Sequence, residues 1–213
     1  MTTLILVRHG ESEANKVKVF AGNYDIPLSQ HGHKQAQTTA KYLKENYKID
    51  KVYASDLQRA YATGKYISEI FDIPIVKEKK LREISAGEWE GKSFTYLEET
   101  YKEDYKEWRN DTGNARPTGG ESVKELSERI NSILLKIAEE NENKTVAIAT
   151  HATPIRAMQS LVEFHGLDEM KNIHWVTNAS VSVLEYENGK WKFKEICQDT
   201  HLEGIKTFVP PNV

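Results

Sequence analysis

The sequence predicts a three-layer α/β protein: a mostly parallel central sheet, helices on both faces, and an insertion covering a cleft. Three observations predict it. From Leu4 to Val76, short apolar runs alternate with helical patterns in the order a parallel sheet requires. Two apolar strands, Leu4–Val7 and Thr145–Ala149, each run into a histidine and then a turn into helix. Residues 81–120 break the alternation with aromatic, charged and Gly-rich sequence.

Leu4 to Val7 reads as a strand buried on both faces, closed by Arg8-His9-Gly10. Residues 16–28 are polar and read as a surface loop. Ser29 caps a helix with Ala36, Ala40, Leu43 and Tyr47 on one side. Val52-Tyr53-Ala54 is a short strand, and Ser55-Asp56-Leu57-Gln58 has the spacing of a capping box. The helix behind it presents Leu57, Ala60, Gly64, Ile67 and Phe71; Ile73–Val76 is again extended. The insertion is expected to supply one or two helices over a cleft. Ser122 with Glu125 forms a second capping box, opening a helix with Val123, Leu126, Ile130, Ile133, Leu134 and Ile137 inward. Pro154 suits the first turn of the helix after His151, which presents Ile155, Met158, Leu161 and Val162. Asn188-Gly189 marks a hairpin between Ala179–Tyr186 and Lys190–Cys197. With no repeat or linker in view, residues 1–213 are expected to form one domain.

Composition narrows the function. A hydrophobic fraction of 38% with 29% charged residues fits a soluble globular chain. The net charge of −3 argues against nucleic-acid and membrane partners, so an anionic ligand would need locally concentrated cations. The single cysteine, Cys197, excludes an internal disulfide and fits a reducing compartment. With no signal-like or membrane-length apolar run, a cytoplasmic location is expected. The sequence leaves open whether the chain is a monomer or a homodimer.

Parallel strands ending in His9 and His151 would bring both imidazoles to one rim of the sheet. Arg59, early in a helix that follows a third strand, can reach the same rim, and Arg8 is already there. Imidazole is a nucleophile, and guanidinium groups suit phosphate. His31 and His33 stand one residue apart on a polar helix and read as surface residues; no metal-ligand motif is present. The aromatic run Phe94, Tyr96, Tyr101, Tyr105 and Trp108 reads as lid packing or as an apolar substrate wall. Arg116 reads equally as solvated or as a contact to a second anion.

Four blocks, LVRHGES, Ser55–Thr63, LREISAGEWEG and Thr150-His151, resemble in order the signature blocks of the histidine phosphatase superfamily. Pro27-Leu28-Ser29 with Gly32 and Gln35-Ala36 resembles a further family loop. Among the members, the chain is most similar to the small broad-specificity and α-ribazole phosphatases. The resemblance implies His9 as the nucleophile forming a phosphohistidine, with Arg8, Arg59 and a protonated His151 holding the phosphoryl oxygens. It implies Asn15 as a neutral donor to that cradle and Glu83 as the proton donor to the leaving group. Ala21 and Gly22 match a substrate-loop position. It implies no metal and no cofactor, and a small phosphorylated metabolite as the partner. The alternative for Glu83 is a surface carboxylate paired with Arg82. One departure is Ala152, where relatives carry glycine after the second histidine; its N–H can serve phosphate if its φ is negative. Hydrolysis of phosphomonoesters is the favoured activity. Phosphoglycerate mutase activity is the alternative, and a phosphoprotein-binding module without turnover is a third reading.

Overall fold

The computed structural model describes residues 1–207, whose centre is a six-stranded sheet in the order β3-β2-β4-β1-β5-β6. The strands are β1 (Thr2–Arg8), β2 (Lys51–Ala54), β3 (Ile75–Lys77), β4 (Thr145–Thr150), β5 (Val181–Glu187) and β6 (Lys190–Gln198). The first four are mutually parallel; β5 and β6 form the antiparallel hairpin at the other edge.

Alternation along β1 decides the layers. Leu4 and Leu6 face one side with Val146, Ile148 and Leu184, beneath α6 (Val123–Glu140) and α7 (Ala152–Phe164). Ile5 and Val7 face the other side with Ala147, Val181 and Val183, beneath α2 (Gln30–Asn46) and α3 (Gln58–Phe71). Each of these β1 side chains is at most 1% exposed, so truncating one to alanine costs about 2–5 kcal/mol. The inward residues expected on α6 are all buried, and Ser122 with Glu125 makes the reciprocal capping box.

One expected cap is absent. Ser55 does not cap α3: the N-cap is Leu57, and the Ser55 hydroxyl instead meets His151 and the Leu57 N–H. Asp25 Oδ1 accepts from the Gln58 N–H at 2.7 Å, so a distant loop supplies the acceptor that the local sequence does not.

The insertion contributes α4 (Phe94–Thr100) and α5 (Lys102–Asn110). Its aromatic residues form a layer in which Phe20 meets Trp89 and Trp108 edge-on, at 5.5 and 5.3 Å between ring centroids. Residues 16–28 are in part the surface loop expected from their polarity, with Lys16, Val17, Lys18, Tyr24, Asp25 and Pro27 exposed, but Gly22 and Leu28 are buried and Phe20 packs into this layer. They begin in the short helix α1 (Glu13–Val17) and then pair with the insertion: Phe20 N donates to Lys92 O, and Gly91 N to Phe20 O, both at 2.8 Å.

Candidate active site

Because β1 and β4 are neighbours with Arg8 opposite Thr150, the next residue on each strand is a histidine at the same sheet edge. The His9 N–H donates to Thr150 O at 3.0 Å, and the two imidazoles meet edge-on with centroids 5.1 Å apart. His9 is 4% exposed and His151 is fully buried.

The backbone sets the tautomer of His9. Its Nδ1 lies 2.7 Å from the carbonyl oxygen of Gly10, a group that can only accept, so Nδ1 carries the proton and Nε2 keeps its lone pair. Burial, then the charges of Arg59 and Arg8, push His9 well below the usual histidine range. Both effects leave a neutral ring with an available Nε2. His151 is pushed down in the same way, by burial first and then by Arg59 and His9. The protein's own groups thus favour a neutral His151, the direction opposite to the expected imidazolium. Its Nε2 lies 2.9 Å from Ser55 Oγ, and its buried Nδ1 has no partner among the described residues.

Two buried arginines stand beside the histidines. Arg59, 1% exposed, donates to Gly22 O at 2.7 Å and to Tyr24 O at 3.1 Å, and so ties α3 to the loop after α1. Gly22 has φ +51°, and a Cβ there would lie 2.7 Å from that of Ala86, so glycine is required. Arg8 donates to Val176 O. The Nε of both arginines is buried without a partner among the described residues. Burial lowers both to about 10, against the opposing pull of Glu83, which leaves them charged at neutral pH.

Asn15 is oriented by its neighbours. Its Oδ1 accepts from Ser12 N and Ser12 Oγ, both at 3.0 Å, and from Asn178 Nδ2 at 3.3 Å. With the acceptor end engaged, its amide hydrogens remain for a ligand. Asn178 also donates to His9 O at 3.1 Å.

Glu83 lines the pocket and is not the partner of Arg82, which pairs with Asp56 at 2.6 Å. Glu83 accepts from Ile84 N at 2.8 Å and from Thr153 N at 3.3 Å, the latter in the first turn of α7. Ala152 opens α7 with a negative φ, so the alanine meets the condition set for phosphate contact there.

The cavity over these groups has a volume of about 240 Å³. Asn15, Ala21, Gly22 and Ala152 line it as expected, together with Arg8, His9, Arg59 and Glu83. Of the insertion aromatics only Phe94 reaches it; Tyr105 and Trp108 are buried in the layer behind. Arg116 does not contact a second anion in the cavity: it is exposed and pairs with Glu125 at 2.8 Å. His31 lies against Ile205 O, and His33 against the Tyr66 hydroxyl. The sequence reading missed Asn178, Phe20 and Trp175. Asn178 and Trp175 belong to no motif, and Phe20 lay hidden in a polar stretch.

Residues 4–199 match the model of the histidine phosphatase superfamily, branch 1. The chain is 35% identical over 190 residues to phosphoserine phosphatase 1 of Hydrogenobacter thermophilus, covering 88% of each chain. The solved structure of YhfR from Bacillus stearothermophilus superposes with a TM-score of 0.90 at 26% identity, covering 95% of this chain and all of that one. A phosphoserine phosphatase of Entamoeba histolytica, solved as a histidine-to-alanine variant with phosphoserine, superposes with a TM-score of 0.83 at 27% identity, covering 95% of this chain and 100% of that one. With two histidines and two arginines gathered at one sheet edge and a family match spanning nearly the whole chain, this protein belongs to the histidine phosphatase superfamily.

Proposed function

We propose that the chain hydrolyses small phosphomonoesters through a phosphohistidine on Nε2 of His9. The observation that carries this reading is the buried His9, its Nδ1 held by Gly10 O, at a sheet edge shared with His151 and two buried arginines. The Nε2 lone pair attacks phosphorus as the ester P–O bond breaks. The ring then gains positive charge, and the Nδ1–H bond to Gly10 O strengthens with it. Arg8, Arg59, the Asn15 amide and the Ala152 N–H stabilise the charge spreading over the equatorial oxygens. His151 donates a hydrogen bond from its Nδ1–H to a phosphoryl oxygen and keeps that proton, while Nε2 accepts from the Ser55 hydroxyl.

Glu83 protonates the leaving alkoxide, then takes a proton from the water that attacks the phosphohistidine. Phosphate leaves, and His9 returns to its neutral form. No step requires a metal. The named activity of the relatives, phosphoserine hydrolysis, supports a small alcohol phosphate as substrate. A mutase would need further cations for a second phosphate and a carboxylate; among the described lining residues, the only cation beyond Arg8 and Arg59 is Lys18.

Phosphate release from a panel of small phosphomonoesters in the presence of EDTA tests the reading. Release that survives EDTA and is lost in His9→Ala is expected. Wild-type rates in His9→Ala would refute the covalent route.

A further inference from the structure

Glu83 lies in residues 82–86, a stretch without regular secondary structure, so no helix or strand ladder fixes its backbone beside the cavity. Side chains from two other elements do so instead. Lys80 O and Arg82 O accept from Arg129 Nη1 at 2.7 and 3.1 Å, and Glu83 O accepts from Arg129 Nη2 at 3.4 Å. Leu81 O accepts from Thr150 Oγ1 at 2.8 Å, so every carbonyl from Lys80 to Glu83 has a side-chain donor.

Arg129, on α6, is itself locked. Its Nε and Nη2 donate to the two carboxylate oxygens of Glu121 at 2.8 and 2.7 Å, and the paired side chains are only 22% and 17% exposed. With the three carbonyl contacts, all five N–H groups of the guanidinium are engaged. Glu121 holds the chain on the other side of Glu83: its Oε2 accepts from Ser85 N at 3.2 Å, and its N–H donates to Ser85 O at 2.8 Å. Resting on the hydrolase reading, we propose that Arg129 and Glu121 are the positioning pair for Glu83, fixing the backbone on both sides of it so that its carboxyl reaches the leaving-group oxygen.

The pair acts at a distance from the substrate. Neither residue lines the active-site cavity; both line a separate surface cleft. The charge of Arg129 is matched by Glu121, so its action on Glu83 is geometric. The Glu83 carboxyl takes its direction from Ile84 N and Thr153 N, contacts that exist only while the backbone of residues 83 and 84 stays in place. The Arg82 side chain does not share this task, since it is drawn off to Asp56.

The test compares kcat/KM for glycerol 1-phosphate, whose alkoxide needs a proton, with that for p-nitrophenyl phosphate, whose phenolate leaves without one. Arg129→Met keeps the aliphatic bulk and removes every donor. It should lower kcat/KM for the glycerol ester by roughly tenfold to a hundredfold, the scale of a small misplacement, and leave the aryl ester within about twofold. In a Glu83→Gln background the same substitution should cost no more than about twofold on either ester, because both changes remove one function. Glu121→Gln, which puts an amide donor against donors, should repeat the pattern at roughly threefold to tenfold, and serves if Arg129→Met fails to fold. Equal losses on both esters, no loss on either, or a full further loss in the Glu83→Gln background would overturn the inference and leave the hydrolase reading intact. Phosphate release from neither ester by the unaltered protein would overturn both.

Discussion

Nδ1 of His9 lies 2.7 Å from the carbonyl oxygen of the next residue, Gly10, and this bond decides which ring nitrogen can act. The carbonyl holds the proton on Nδ1 and leaves the lone pair on Nε2. Replacing His9 by asparagine removes that lone pair and should lower phosphate release by at least about 10³-fold, the scale seen when a covalent nucleophile is lost. A steady-state assay on p-nitrophenyl phosphate, with folding checked by circular dichroism, measures it.

The two buried histidines also make stability depend on pH. Both are held well below the ordinary histidine value of 6.5 in the folded chain, whereas the unfolded chain titrates near that value. Below pH 6.5 the unfolded state binds more protons, so stability is full above that pH and falls as pH drops below it. The slope reaches about 1.4 kcal/mol per pH unit for each histidine. Denaturant titrations from pH 7.5 to 5 should show this loss, and His9→Asn should reduce the slope by about one histidine's share.

Glu83 should matter most where the leaving group is poor. Glu83→Gln is expected to slow alkyl phosphate hydrolysis by roughly 10²–10⁴-fold at the bond-breaking step. Phosphorylation by p-nitrophenyl phosphate, whose phenolate leaves without a proton, should be nearly unaffected. A single-turnover series across leaving groups of graded acidity separates the two.

Asn178 acts through Asn15. Removing its side chain frees the Asn15 carbonyl oxygen from one of its three donors and leaves His9 O without the side-chain donor. Asn178→Ala should lower kcat/KM by roughly tenfold and stability by about 1–3 kcal/mol. Because both residues serve one contact, the Asn15→Ala, Asn178→Ala double variant should lose less activity than the sum of the singles.

Gly32 is a packing requirement. A Cβ there would stand 1.9 Å from Glu11 O, at the turn that carries His9 into the site. Gly32→Ala should cost about 1–3 kcal/mol, the usual range for overpacking, visible as a lower midpoint in urea.

Legibility divided along the range of the interactions. The strands, the Ser29 and Ser122 caps and the convergence of His9 with His151 follow from local periodicity and parallel-sheet geometry, and all are present. Ser55 misled because its hydroxyl is drawn across to His151, a partner 96 residues away, instead of capping its own helix. Phe20 misled because the aromatic layer that buries it comes from Trp89 and Trp108. The downward pull on His151 was likewise not legible, because it comes from burial and from Arg59 on another element. Nothing local marks Asn178, whose role exists only through its bonds to His9 and Asn15.

The covalent step is open to direct capture. In Glu83→Gln, an aryl phosphate can still phosphorylate the enzyme, but the group that activates water is gone, so the intermediate should accumulate. Rapid quenching with radiolabelled p-nitrophenyl phosphate, followed by peptide mapping, should place a stoichiometric label on the peptide containing His9, stable in alkali and lost in acid. Label on another residue, or steady turnover with no labelled protein, would contradict a phosphohistidine at His9.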